Sequence, residues 1–315
     1  MKESIRKAPV PLCGVALGMA ALGNLLQSYS QGLRYSCGAV SGLLLILFLL
    51  KAVMFPQMIR QDMKNPVIAS VAPAFPMALT QLSVYLQPWL GRGSYYLWLS
   101  ALALHAALTV YFTWRFIFKL EMTQVFASYF VVYVGVAVGA VTAPAYGKEA
   151  LGAKLVWFAL AALAALLVLV TLRYLRFPCV EEAAQPLICI YTAPTSLCIV
   201  GYVQSVSQKS QTLLLALLGL STGLYLFALF QAAKCLKLPF YPSFASFTFP
   251  FVITAIAARQ AMDCLAAIGA PQPWLRPLAL AETAVACFLT LSTLVRFLWF
   301  IFGKERETAP KKGGR

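Results

Sequence analysis

The chain reads as an all-α integral membrane protein of ten transmembrane helices folded as five helical hairpins. Three observations carry that reading. Of 315 residues, 61% are hydrophobic and 11% charged, and the mean hydropathy is +0.79, which excludes an ordinary soluble domain. The apolar segments are continuous rather than alternating, which excludes a membrane β-barrel. Ten such segments occur, at roughly 8–26, 34–54, 66–87, 94–118, 121–143, 150–173, 183–206, 211–233, 239–268 and 275–302, each near the length that crosses a bilayer. The connections are short, so residues 1–315 form a single transmembrane domain with no room for a catalytic domain between spans. No cleavable leader is expected, because the apolar run after Lys2, Arg6 and Lys7 continues too far.

The net charge of +15 reads as loop charge that sets topology and attracts anionic headgroups, not as a nucleic-acid surface. With the N-terminus placed inside, the inner segments hold 18 of the 25 Lys and Arg residues and the outer segments 7. That bias places both termini in the cytoplasm, and a multi-pass protein of the inner (plasma) membrane is expected. An odd number of spans would scramble it.

Taken in order, odd and even spans differ in kind. The first carries Pro9, Pro11, Gly14 and Gly18, whereas the second is a smooth run from Leu43 to Leu50. The third holds Pro66, Pro73 and Pro76, followed by Thr80, Gln81 and Ser83. The fourth holds His105, the one histidine, near its middle. The fifth has no proline between Met122 and Thr142, but it has Ser128, Gly135 and Gly139. The sixth is Ala- and Leu-rich, and the seventh breaks at Pro186 and Pro194, with Thr192, Thr195 and Ser196 around the second. The tenth holds Glu282 inside the span. Proline removes a backbone donor and crowds the preceding turn. In a membrane such defects persist where protein or water satisfies the freed carbonyls. The odd spans are therefore expected inside, lining a pore, and the even spans outside.

The ninth span is the most informative. Ser243-Phe244-Ala245-Ser246-Phe247-Thr248-Phe249-Pro250-Phe251 places a proline in mid-span among hydroxyls and aromatic rings. Phe249 adjoins the kink, and Phe247 lies about 200° round a helix from it. Ordinary core packing and a pore constriction both fit Phe249 on these grounds alone. Hydroxyls at Ser70, Thr80, Ser128, Thr192, Thr195, Ser196, Ser246, Thr248 and Thr254 could replace an ion's lost water or bond back to their own helices. Arg259 lies ten residues past Phe249, about 15 Å further out. It either gathers anions at the outer mouth or pairs with Asp263 or Glu282. His105 reads as a neutral, hydrogen-bonded core residue or as a proton relay.

Other chemistries are not supported. The chain has no aspartate-rich pair for magnesium diphosphate, no HExxH and no phosphate-binding loop. The eight cysteines form no CxxC and read as small buried hydrophobes. No enzyme activity, metal or cofactor is expected.

Four motifs occur together, in order, on alternate spans: Gly14-x-x-x-Gly18, Ala72-Pro73-Ala74-Phe75-Pro76, Ala193-Pro194-Thr195-Ser196-Leu197 with Gly201-Tyr202, and Ser246-Phe247-Thr248-Phe249-Pro250. This pattern resembles the tellurite-resistance/dicarboxylate transporter family of TehA-like proteins, which includes the slow-type anion channel of plant guard cells. The resemblance covers essentially the whole chain. It implies five hairpins about a pseudo-five-fold axis, with odd helices around a central pore, and a homotrimer with one pore per subunit. It also implies a phenylalanine gate, matched here by Phe249. From the residues themselves, the kink or pore-lining candidates are Gly14, Gly18, Pro73, Pro76, Ser128, Pro194, Thr195, Ser246 and Pro250, with Arg259 the candidate for the outer mouth. The missing proline in the fifth span departs from the family pattern. The implied function is an anion channel passing inorganic or small organic anions across the bilayer. A secondary carrier for C4-dicarboxylates such as malate, or for sulfite, shares the fold, and a non-conducting scaffold is the third reading.

Overall fold

The computed structural model describes residues 2–303. The basic residues Lys304, Arg306, Lys311, Lys312 and Arg315, counted above on the inner side, lie outside the described residues. Among those described there is no strand. The α-helices in order are α1 (Lys2–Lys7), α2 (Leu12–Leu26), α3 (Gln31–Met54), α4 (Pro56–Asp62), α5 (Pro66–Val71), α6 (Ala74–Leu90), α7 (Arg92–Phe112), α8 (Tyr129–Tyr133), α9 (Ala137–Thr142), α10 (Glu149–Arg176), α11 (Ala193–Ser205), α12 (Gln211–Cys235), α13 (Phe249–Ala267) and α14 (Leu275–Phe302). Among the described residues, eight helical stretches are long and apolar enough to cross a membrane, counting α5 with α6, the π turn Thr113–Ile117 with α7, and the 3₁₀ runs with the helices they lead into. The chain is thus a multi-pass membrane protein. The 15-residue α2 is shorter than these, and the segment from Met122 to Tyr146 is broken into short pieces.

Burial separates the helices into two layers. The stretches containing α6, α11 and α13 are 67%, 89% and 67% buried, against 22–33% for α3, α7, α10, α12 and α14. Apolar side chains such as Leu43, Val110, Val168, Phe230 and Phe288 cover the outer layer and face away from the protein. Within the inner layer α2 packs on α6, α6 on α9, α9 on α11, α11 on α13, and α13 back on α2, which closes a ring.

The inner elements break where their sequences break. In the third stretch the helix pauses at Ala72 and Pro73 between α5 and α6. The seventh and ninth stretches begin as 3₁₀ helices, Glu182–Thr192 and Pro242–Phe247, and become α-helical at Ala193 and Phe249, each with proline in the first turn. An 11-residue 3₁₀ run is long for that geometry. Cross-strutting holds the two runs together. Tyr241 Oη donates to Glu182 Oε1 at 2.7 Å, Ser243 Oγ to Ala183 O at 2.6 Å, and Ser246 Oγ to Pro186 O at 2.6 Å. The bond to Glu182 also raises the Tyr241 phenol above its ordinary pKa.

The fifth segment breaks without proline. Between α8 and α9, the N–H groups of Val134 and Gly135 both donate to Phe130 O. Val132 O instead accepts from two side chains of α7, His105 Nε2 at 3.0 Å and Thr109 Oγ1 at 3.0 Å. Because a carbonyl only accepts, Nε2 carries the ring proton. His105 is 3% exposed and serves here as a structural strut for the break. Gly135 makes the close approach possible: a Cβ there would stand 2.1 Å from Val131 O and 2.7 Å from Met77 Sδ.

Candidate functional site

Two cavities among the described residues border the inner helices. The larger, about 470 Å³, opens at the end that carries α1 and α4. The smaller, about 220 Å³, opens at the opposite end between α2 and α13. Leu17 on α2 and Pro250 on α13 touch the first, whereas Asn24 and Ile256 on the same helices touch the second. Six or seven residues of helix, about 10 Å, separate the two.

The wall of the larger cavity is built from stripes with a spacing of three. Pro11, Gly14 and Leu17 form one, and Val71, Ala74 and Met77 a second. Val131 with Val134, Pro194 with Leu197, and Ser243, Ser246 and Phe249 complete the set, one stripe from each inner segment. In a 3₁₀ turn residues three apart eclipse, so a stripe with that spacing runs straight into the cavity. In an α-helix residues three apart are still neighbours on one face. At the closed end each stripe finishes in an apolar side chain: Leu17, Met77, Val134, Leu197 and Phe249. Of these five, Phe249 is the one aromatic ring; the five are called the collar below.

Packing behind the wall fixes where Phe249 sits. Thr248 Oγ1 donates to Gly14 O at 3.0 Å and to Ala245 O at 2.7 Å. A Cβ on Gly18 would lie 2.6 Å from Thr248 Cβ and 2.9 Å from Phe249 N, so α2 meets the start of α13 at a glycine. Phe249 is 6% exposed and lies on the cavity, while Phe244, Phe247 and Phe251 are fully buried. The Phe247 ring lies tilted against Phe244 with centroids 5.0 Å apart, and Phe251 meets the Tyr225 ring edge-on at 5.8 Å.

Of the residues singled out from the sequence, Gly14, Pro194, Ser246, Phe249 and Pro250 lie on the cavity wall. Gly18 lies behind it, against Thr248. Pro73 and Pro76 shape α6 without lining the cavity, and Pro76 O accepts from Thr80 Oγ1. Ser128 pairs with Ser70 at 2.6 Å. Thr192, at the end of the 3₁₀ run, joins Ser196 of α11, Ser221 of α12 and Thr254 of α13 in one hydrogen-bonded cluster with contacts of 2.8–3.0 Å. Thr195 is buried, and its hydroxyl has no partner. Most of the candidate pore hydroxyls are therefore turned into the protein.

Arg259 lies on the smaller cavity with Asn24, Gln260 and Asp263. Its Nη1 donates to Leu25 O at 3.2 Å, and its guanidinium sits 5.7 Å from the Tyr29 ring centroid. Among the described residues no ion pair joins it to Asp263 or Glu282. Glu282 is 1% exposed, and its Oε2 has no partner.

Sequence reasoning passed over two features. Leu17, Met77 and Leu197 each lie three residues beyond a kink-forming or wall residue, and that spacing could have located them. Lys51, 4% exposed, reaches the cavity wall from α3, a helix that otherwise reads as outer.

Residues 8–298 match the family model described as voltage-dependent anion channel. No curated protein sequence matches the chain.

Proposed function

The chain belongs to the voltage-dependent anion channel family, and from that premise we propose that it conducts small anions through the ring of inner segments, with the collar at Phe249 as its closed gate. The observation that supports this reading is a cavity lined by all five inner segments, with apolar side chains where its stripes end and a second cavity about 10 Å further along α2 and α13. A narrow hydrophobic neck expels water and makes the passage of an ion unfavourable. The helices α2, α6, α11 and α13 all begin at the larger cavity, and helix starts carry partial positive charge. Arg6, Lys7 and Lys51 at its mouth add to that field. Single-channel recording of purified protein in planar bilayers is the test. Ohmic current that follows anion substitution supports a channel, and flux without resolvable openings supports a dicarboxylate or sulfite carrier. Silence on both counts leaves a scaffold.

The full proposal has ten spans as five hairpins in the inner membrane, with the larger cavity facing the cytoplasm. The closed ring of inner segments and the charge bias support it. A reporter active only in the cytoplasm, fused after Arg315, is expected to be active, and a well-expressed but silent fusion removes this topology. We further propose a homotrimer with one pore per chain. Gly219 and Gly223 on α12 have nothing within 4 Å of a built Cβ, and small residues on an outward face permit close helix approach.

Arg259 is proposed as the anion attractor of the outer mouth. Arg259→Ala is expected to lower conductance several-fold at low salt and much less at high salt, where screening replaces it. Arg259→Lys is expected to retain most of it. Unchanged conductance with lost thermal stability would reduce Arg259 to its bond with Leu25 O.

A further inference from the structure

The larger cavity is poorly lined for a bare inorganic ion to rest in. Its two wall hydroxyls, Ser243 and Ser246, spend their protons on Ala183 O and Pro186 O. An anion without its own water finds almost no donors there. The wall charges are gathered at the mouth instead, and Lys51 is the buried one among them. Its ammonium has three protons. One goes to Ala8 O at 2.7 Å and a second faces Asp62 Oδ2, its ion-pair partner at 3.8 Å, which leaves one. The ammonium therefore keeps donor capacity beside the cavity. From this end the wall continues through Val67, Val71, Ala74 and Met77 to the collar, apolar throughout.

A cation at the mouth and an apolar chamber behind it together describe a ligand. We propose that this cavity binds an amphipathic organic monoanion, a single carboxylate on an unbranched apolar chain. Its head sits at Lys51 with Arg6 beside it, and its chain lies along the stripe that ends at Met77 and Phe249. The volume of about 470 Å³ is of the size that holds drug-sized ligands. From Ser243 to Phe249 the wall runs six residues, about 12 Å at the 3₁₀ rise. An extended chain advances about 1.2 Å per bond, so about ten carbons fill that depth. The charge count at the mouth sets the ligand's charge: Asp62 pairs with Lys51 and Glu3 with Lys7, so the three cations Arg6, Lys7 and Lys51 leave one net positive charge, enough for one carboxylate and not for two. The proposal rests on the channel reading in one respect, that an occupant of this cavity stands in the pore and blocks it from that side.

The test is saturation binding of radiolabelled decanoate to the full chain in phosphatidylcholine nanodiscs, with empty discs subtracted. One saturable site per chain is expected, with decanol and decanedioate competing at least tenfold more weakly. Lys51→Met is expected to weaken binding at least tenfold and Lys51→Arg to preserve it. Val71→Trp fills the chamber without touching a charge and is expected to abolish saturable binding, which covers the case in which Lys51→Met fails to fold. Uptake no greater than in empty discs overturns the proposal, as does decanedioate binding as well as decanoate. Phosphatidylglycerol in the disc that removes decanoate binding makes a lipid the occupant and overturns it too. Chloride flux through Phe249→Ala, measured separately, keeps the two readings apart. Flux without decanoate binding defeats this inference alone, whereas binding without flux in any variant upholds it and defeats the channel.

Discussion

Phe249→Ala is expected to carry anion current at least an order of magnitude above the native protein in planar bilayers, while the protein stays folded. The ring stands on the wall of the larger cavity at its closed end, where the other four inner segments contribute Leu17, Met77, Val134 and Leu197. Truncating a phenylalanine in a sealed core costs about 3–5 kcal/mol, because the lost contacts are not refilled. Here one face of the ring borders a cavity that water can enter, so the stability cost is smaller. A wetted neck lets an anion keep part of its hydration, and each fall of about 1.4 kcal/mol in the barrier is a tenfold gain in rate. Phe249→Leu keeps an apolar plug of smaller reach and is expected to lie between the two. Phe247→Ala is the control. That ring is fully buried against Phe244, so its loss is expected to cost about 3–5 kcal/mol and to leave conductance nearly unchanged. If the two variants exchange behaviour, the wrong face of the ninth segment has been assigned to the pore. Folded but silent variants at both positions remove the gate.

The distinction between Phe249 and Phe247 was legible because the pitch of any helix separates neighbours two apart, and Pro250 marks where the pitch changes. The two-layer arrangement was legible for a similar reason: proline at 73, 194 and 250 confines those segments to protein-lined space, and the uninterrupted run from Leu43 to Leu50 suits lipid. Other features depended on partners distant in sequence. The fifth segment breaks at Gly135 because His105 and Thr109, on the preceding helix, occupy the carbonyl of Val132. No local motif announces that break, and His105 read alone left both a core role and a relay open. The hydroxyls of Thr192, Ser196 and Thr254 satisfy one another across the seventh and ninth segments, a choice between pore and packing that composition cannot make. Lys51 lies in a smooth apolar helix, and only the fold brings Ala8 O and Asp62 to it. The stripes with a spacing of three were present in the sequence, but over six residues a period of 3.0 and one of 3.6 are hard to tell apart.

Gly18→Ala is expected to destabilise the protein by about 1–3 kcal/mol, the range for an overfilled core, and to make whatever folds leak anions. The added methyl would stand 2.6 Å from Thr248 Cβ and 2.7 Å from Thr248 Oγ1. Neither atom ends a flexible chain that can swing aside. The third neighbour, Phe249 N at 2.9 Å, is backbone. Relief must come from moving α2 away from the start of α13, and Phe249 hangs from that start. Thr248 Oγ1 also loses its bond to Gly14 O if the helices part. Gly14→Ala, one turn earlier on α2, meets only Ala245 Cβ at 3.3 Å, so a few tenths of an ångström of movement should absorb it. Gly42→Ala on α3 meets nothing within 4 Å, and alanine favours the helix over glycine by about 0.8–1.0 kcal/mol, so that variant should equal or exceed the native stability. Thermal melts followed by size-exclusion in detergent should therefore rank Gly42→Ala highest, Gly14→Ala near the native protein and Gly18→Ala lowest. Bilayer recording of the surviving Gly18→Ala fraction separates a helix contact that merely stabilises from one that also aims the gate. Reduced stability with a native, closed pore would mean that Phe249 holds its place without α2, and that the other four members of the collar position it.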